Sequence, residues 1–188
     1  MSTARTHHRF SVAEYDQMID KGILTEDDRV ELIRGEIVEK MTIGDEHIAC
    51  VNRLNRLLVK LLDDRAIVSV QNPVRLYDSE PEPDIALLRP QADFYASGKP
   101  KAADVLLLIE VSDTSLEVDR EDKRTLYAEN GIHEYWIINL IDRTIETYRQ
   151  PQPNGQYLNS RIARSGATLE IEQLQGIAID ISQILPAN

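Results

Sequence analysis

Three side chains in the middle of the chain have the types and the order of a phosphodiester-hydrolysing site. Asp84 follows Pro83 and opens a short apolar stretch, Ile85-Ala86-Leu87-Leu88. Glu110 closes a second one, Val105-Leu106-Leu107-Leu108-Ile109, and Lys123 follows on the next element. A carboxylate at the end of an aliphatic run gives up hydration, which is expensive unless a cation or strong donors replace the water. Two acids meeting at one sheet edge suit a hard cation, because magnesium takes oxygen ligands and usually needs only one or two protein carboxylates. The metal would polarise a phosphate and acidify a water. A nearby lysine would steady the attacking hydroxide or the developing charge.

Each residue also has a plainer reading. Asp84 after proline is ordinary turn chemistry. Glu110 is equally a strand-end acid paired to an arginine, and Lys123 a solvated helix residue paired with Asp119 at the i, i+4 spacing. The ordered combination is what favours a site.

The flanking patterns say how the three would be positioned. Val105 to Ser112 is aliphatic up to its acid, so it reads as a strand buried on both faces. With Ile85 to Leu88 as its antiparallel neighbour, Asp84 at one strand's start and Glu110 at the other's end share an edge. Ser112 to Ser115 reads as a turn, and Asp119 to Asn130 as a helix closed by Gly131. That helix packs back over its strand, and the flexible lysine stem spans the gap.

Upstream, Phe10 to Gly22 is a helix in which Ser11 and Glu14 form a capping box. Arg29–Ile33 and Glu36–Met41 form a hairpin around Arg34-Gly35. Asp45 to Asp63 is a helix with Ile48, Val51, Leu54, Leu58 and Leu61 on its apolar face, and Ile67 to Tyr77 is one half-buried strand with a bulge or edge at Pro73. Downstream, Tyr135–Leu140, Thr144–Arg149, Tyr157–Ala163 and Ile177–Ile181 read as strands. From Asp45 to Leu140 the order is helix, three strands, helix, strand. The expectation is an α/β core with added N- and C-terminal β-hairpins, forming a single domain over residues 1–188.

Composition bounds the function. At 188 residues, 42% hydrophobic and 28% charged, the chain can bury a sizeable core. A lone cysteine, Cys50, gives no disulfide framework and no zinc ligand set. Met1 to Arg9 is polar and basic, unlike a signal peptide, and no apolar run approaches the roughly 20 residues of a membrane span. A cytoplasmic location is the default expectation. The net charge of −11 argues against a nucleic-acid binder unless a local basic patch surrounds the site. Arg53, Arg56 and Lys60 on one helix, and Arg120, Lys123 and Arg124 on another, are the candidates. Phosphate-loop, dinucleotide, His-Glu-x-x-His and nucleophile-elbow motifs are absent.

Pro83-Asp84, Glu110-Val111-Ser112 and Lys123 together resemble the PD-(D/E)XK nuclease pattern, with Ser112 standing where that pattern has lysine. In the Uma-two family of restriction endonucleases the lysine has moved onto the following helix. The chain is similar to that family also at Glu31-Leu32-Ile33-Arg34-Gly35-Glu36-Ile37, at His47, and at Gly131-Ile132-His133-Glu134-Tyr135-Trp136. This resemblance, running from about Phe10 to Leu185, implies a restriction-endonuclease-like fold and a magnesium-dependent endonuclease, with manganese able to substitute. DNA is the expected substrate and a homodimer the expected assembly, since cutting both strands takes two sites. Asp84 and Glu110, helped by the backbone carbonyl of Val111, would hold the metal, and Lys123 would act on the water. Glu31 matches the family's Glu-Leu-x-x-Gly and becomes a supporting acid. The resemblance gives His47 a place at the site's rim, whereas by residue type alone it is equally a solvated first-turn side chain. Two rivals stand beside this reading: an idle interaction protein that keeps the fold, and a hydrolase of some other phosphoester.

Overall fold

The computed structural model describes residues 7–186; Met1 to Thr6, and so most of the basic N-terminal stretch, lie outside it. Helix α1 (Val12–Asp20) is capped as its sequence demands, with Ser11 and Glu14 exchanging both capping-box bonds. Strands β1 (Val30–Ile33) and β2 (Glu36–Glu39) form a separate antiparallel hairpin. Its two-residue turn puts Arg34 at φ +50° and Gly35 at +76°, the left-handed pair that matches strand twist.

Gly35 is also wedged against the segment before α1. A Cβ there would lie 2.8 Å from the Arg9 Cβ and 2.9 Å from the Phe10 carbonyl oxygen. Gly35→Ala is therefore expected to lose more than the roughly 1 kcal/mol of a simple glycine effect. Gly131, at φ +74°, has nothing within 4 Å of an added Cβ, so Gly131→Ala should lose less. Denaturant unfolding of the two variants side by side checks the order.

Helix α2 (Asp45–Leu62) precedes strands β3 (Ile67–Val70), β4 (Ile85–Leu88) and β5 (Val105–Ser112). A helical stretch then runs through α3 (Leu116–Val118), a π-helical turn (Asp119–Lys123) and α4 (Arg124–Glu129). Strands β6 (Glu134–Asn139), β7 (Thr144–Pro151) and β8 (Tyr157–Ala163) complete a six-stranded sheet of order β3-β4-β5-β6-β7-β8. Only β5 and β6 pair in parallel, as a helical crossover requires. Strands β9 (Thr168–Glu170) and β10 (Ala178–Asp180) form a C-terminal hairpin. The core order is the one the sequence implied, with a hairpin at each end.

Both faces of the central strands are covered. Leu107, Ile109 and Val111 of β5 pack with α2 and the C-terminal segment. Leu108, two residues before Glu110 and on the same face by strand alternation, packs with Leu126 and Tyr127 of α4. All eight residues of β5 are buried. Glu110 thereby faces the helix that carries Lys123.

Three local expectations are corrected. The predicted strand from Ile67 to Tyr77 ends at Val70, because Gln71 takes φ +51° and leaves the pleat, and Val74 and Leu76 instead enter the core from a loop. The buried stripe of α2 is His47, Cys50, Val51, Leu54, Leu58 and Leu62, while Ile48 is 43% exposed. The helix expected from Asp119 begins earlier and contains the π turn, so it is not one regular α-helix.

Candidate active site

Asp84 lies just before β4, whose pairing with β5 begins at Ile85↔Ile109. Beyond that point β5 has no strand on its β4 side, and the Asp84 carboxylate takes the strand's place: the backbone N–H of Val111 donates to its Oδ2 at 2.8 Å. His47 Nε2 lies 2.9 Å from the same oxygen, and Gln71 Nε2 donates to Oδ1 at 3.2 Å. In return the Asp84 N–H donates to Glu110 Oε2 at 3.2 Å. The two acids are thus tied at the sheet edge, Glu110 through the Asp84 N–H and Asp84 through the N–H of Val111, the residue after Glu110. Antiparallel pairing of β4 and β5 produces this meeting.

Lys123 comes down from the π turn. Its Nζ donates to Glu110 Oε1 at 3.0 Å, with Glu31 Oε1 at 3.6 Å and Asp119 Oδ1 at 4.0 Å. The lysine side chain is only 13% exposed, and its closest partner is Glu110 rather than Asp119. The solvated i, i+4 pair is not what forms. Tyr127, one helical turn on, donates its hydroxyl to the same Glu110 oxygen at 2.9 Å. Glu31 is held by the Glu82 N–H, which donates to its Oε2 at 3.0 Å. Ser112, at the position where the nuclease pattern has lysine, donates to Asp119 Oδ2 at 2.7 Å, and so does Ser115.

Charge is out of balance here. Glu31, Asp84, Glu110 and Asp119 are all buried, against one largely buried lysine and a buried histidine. Burial raises the Glu110 pKa to about 8; Lys123 pulls it down, but Asp119, Asp84 and Glu31 push it up again. Asp119 is raised for the same first reason, despite Lys123 and two serine donors. Burial works against the Lys123 ammonium, yet Glu110, Glu31 and Asp119 outweigh it and lift the lysine above its ordinary range. For His47 burial again works downward, and the bond to Asp84 with its charge carries the imidazole above its usual value. His47 Nδ1 is buried without a partner.

These groups line a cleft of about 680 Å³ between the β1–β2 hairpin, the start of α2 and the π turn. Eight acidic side chains line it against three cations, Arg29, Lys40 and Lys123, and Lys40 is paired with Glu82. Of the other basic candidates, Arg120 is bound to Glu146, Arg124 sits 5.6 Å from the Tyr148 ring centre, and Arg53 Nε donates to the Ile184 carbonyl. Arg56 and Lys60 are exposed. Among the described residues no three His, Cys, Asp or Glu side chains form a ready-made metal cage.

The proposed site residues Asp84, Glu110, Lys123, Glu31, His47 and Val111 therefore arrive at one place, Val111 with its N–H on Asp84 where the expectation concerned its carbonyl, whereas the basic candidates Arg53, Arg56, Lys60, Arg120 and Arg124 do not line the cleft. The sequence reading missed Gln71, Tyr127 and the Ser112–Asp119 contact. For Tyr127 the signal was present, since Lys123 and Tyr127 lie four apart on one helix face.

Compared with known families, residues 12–182 match the model described as "Uma2: Putative restriction endonuclease". Among solved structures, the chain resembles a protein from Anabaena variabilis titled a putative nuclease belonging to DUF820. That likeness has a TM-score of 0.68 at 16% identity and covers 88% of this chain and 94% of that one. It shows the restriction-endonuclease-like fold. No curated protein matches the chain.

Proposed function

The chain belongs to the Uma2 family, and from that membership and the geometry of the site we propose that it is a magnesium-dependent endonuclease that hydrolyses phosphodiester bonds of DNA. The observation that supports this most is the surplus of buried carboxylate at the sheet edge. Four buried acids facing one lysine form an arrangement that a divalent cation relieves, and oxygen ligands are the donors magnesium and manganese accept. Asp84 and Glu110 would hold it, with the Val111 carbonyl beside them and Glu31 in support. When bound, such a metal polarises the phosphate and lowers the pKa of a water.

The protein's own groups take distinct parts. Lys123 stays protonated across the neutral range, so it donates rather than abstracts. Its ammonium would hold the attacking oxygen or the charge growing on the phosphate. The hydroxyl of Tyr127 shares Glu110 Oε1 with Lys123 and would help to fix that carboxylate's rotamer. His47 and the Val111 N–H do the same for Asp84, in the manner of groups that orient metal ligands from behind. The chain would act as a homodimer, giving one site per strand. The interaction-protein reading has no use for a divalent ion at Asp84, so a calorimetric titration with magnesium and manganese separates the two. Cleavage of plasmid DNA with either metal, run beside Asp84→Ala, tests the activity.

Salt gives an independent check, because the cleft is acidic and the net charge is −11. If substrate phosphates are held by protein cations, log affinity falls with log salt by about 0.9 per phosphate contact on duplex DNA and about 0.7 on single strands. Filter binding or anisotropy in calcium, from low to high salt, measures the slope. A flat response would remove nucleic acid as the substrate.

A further inference from the structure

The six-stranded sheet ends at β8, which pairs on one side with β7 and on the other with nothing among the described residues. A bare edge of this kind templates another strand, and proteins usually blunt it with charge, proline, a bulge or a cover. β8 has seven residues, of which Arg161 alone is charged, and it contains neither proline nor glycine. Leu158 is 66% exposed and Ile162 59%. They alternate with Ser160 on one face of the strand. Ser160 lies opposite Tyr148 of β7 and Ile162 opposite Glu146, so the exposed pair continues the face covered further in by the helical crossover.

We propose that β8 is a self-recognition edge, on which a second copy of this chain lays its own β8 antiparallel about a two-fold axis through Ser160. The occupant is identified by self-complementarity. The strand runs from Tyr157 to Ala163 and Ser160 is its midpoint. With the axis there, Leu158 meets the partner's Ile162, Asn159 meets the partner's Arg161, and Tyr157 meets the partner's Ala163. Apolar falls on apolar, polar on polar, and no like charges stand opposite one another, the arrangement cross-strand pairs favour. Each pair occurs twice, as an isologous contact requires. An axis moved by a single residue changes the matching: centred on Arg161, the two arginines face each other and Leu158 falls opposite Arg164. The pairing joins two six-stranded sheets into one and covers the β8 edge of each. This rests on the dimer reading above and specifies its surface.

Sedimentation equilibrium of the full chain tests it with exposed positions, so folding is not at stake and circular dichroism confirms that. Wild type is expected to be a dimer. Leu158→Lys with Ile162→Lys sets lysine against lysine at both apolar pairs and should weaken association at least about tenfold. Leu158→Lys with Ile162→Glu sets opposite charges there and should restore it. Under oxidising conditions Ser160→Cys should link two chains, because facing residues lie about 4.5–5.5 Å apart, within disulfide reach. Leu158→Cys should not, its copies being separated by about 13 Å along the strands. The natural Cys50 is buried and does not compete. A monomeric wild type would overturn both the dimer and this surface. A dimer that ignores the charge pairs and fails to link through Ser160→Cys would leave the dimer standing and overturn this surface alone.

Discussion

Lys123→Ala is expected to keep its divalent-metal binding and to lose about two to four orders of magnitude in cleavage rate, the range for a lost charge-stabilising or proton-donating group. Lys123 Nζ lies 3.0 Å from Glu110, a proposed metal ligand, and also within 4.0 Å of Asp119. Removing a positive charge from among four acids cannot loosen a second cation by electrostatics, so metal affinity should hold or rise. The same deletion leaves Glu110 with Tyr127 and the Asp84 N–H as its donors. Breaking a buried ion pair costs about 3–5 kcal/mol, so the metal-free variant should unfold earlier and recover when metal is added. Melting curves with and without manganese must therefore accompany the rate. Ser112→Lys in this background should return part of the activity, because Ser112 shares the strand face of Glu110. Recovery should stay partial, since the new lysine displaces the hydroxyl that serves Asp119. A Lys123→Ala protein that is well folded and cleaves at the wild-type rate would end the lysine's assignment.

The second large effect concerns the ligands themselves. Asp84→Ala and Glu110→Gln should each abolish measurable magnesium and manganese binding, and cleavage with it, because each removes one of the two carboxylates proposed to hold the metal directly. Their stabilities should then differ. Asp84→Ala strands the buried Val111 N–H and His47 Nε2, and each buried donor left unpaired costs about 1–3 kcal/mol, while the exposed Gln71 amide turns to water. Glu110→Gln removes a carboxylate that burial already disfavours, raised to a pKa of about 8. The sign follows from linkage. A raised carboxyl pKa favours the folded state below the unfolded value near 4.3 and loses that advantage as pH climbs towards 8. Without metal, Glu110→Gln gives up the pair with Lys123 and an acceptor for the Asp84 N–H, and by that sign its deficit against wild type should be smaller at pH 8 than at pH 6; it should also lose the stabilisation that metal gives wild type. Calorimetric titration with thermal melts at pH 6 and pH 8 decides both points. Unaltered metal affinity in either variant would remove that residue from the ligand set.

Much of the arrangement was legible because it depends on pattern. The aliphatic run before Glu110 dictated a strand buried on both faces, and antiparallel pairing with Ile85–Leu88 brought Asp84 to the same edge. The Arg34-Gly35 turn and the Ser11–Glu14 box are local chemistry, readable without the rest of the molecule. What escaped depends on phase and on contacts far apart in sequence. The stripe of α2 was placed by apolar type, which put Ile48 inward; the fold buries His47 instead, because a carboxylate across the cleft satisfies it. Gln71 was read as part of a strand, whereas its backbone is left-handed and both its N–H and its amide donate to Asp84. Lys123 was placed near the acids by the helix that packs back over β5, but only the family likeness set it apart from Arg120 or Arg124, which no periodicity could have done.

The π turn between Asp119 and Lys123 winds a spare residue into the crossover. A regular helix advances about 100° per residue, so that spare residue lets the two halves face different ways. The first residue of the turn, Asp119, takes the two serine hydroxyls; the half after it brings Leu126 and Tyr127 onto the sheet. The helix thus meets two orientations that one uniform screw could not satisfy together. Chain length in that single turn then acts as the dial that sets where the ammonium points, separately from how the helix sits. Two proteins of this architecture could share every packing residue of the crossover and still differ in whether the cleft receives its cation.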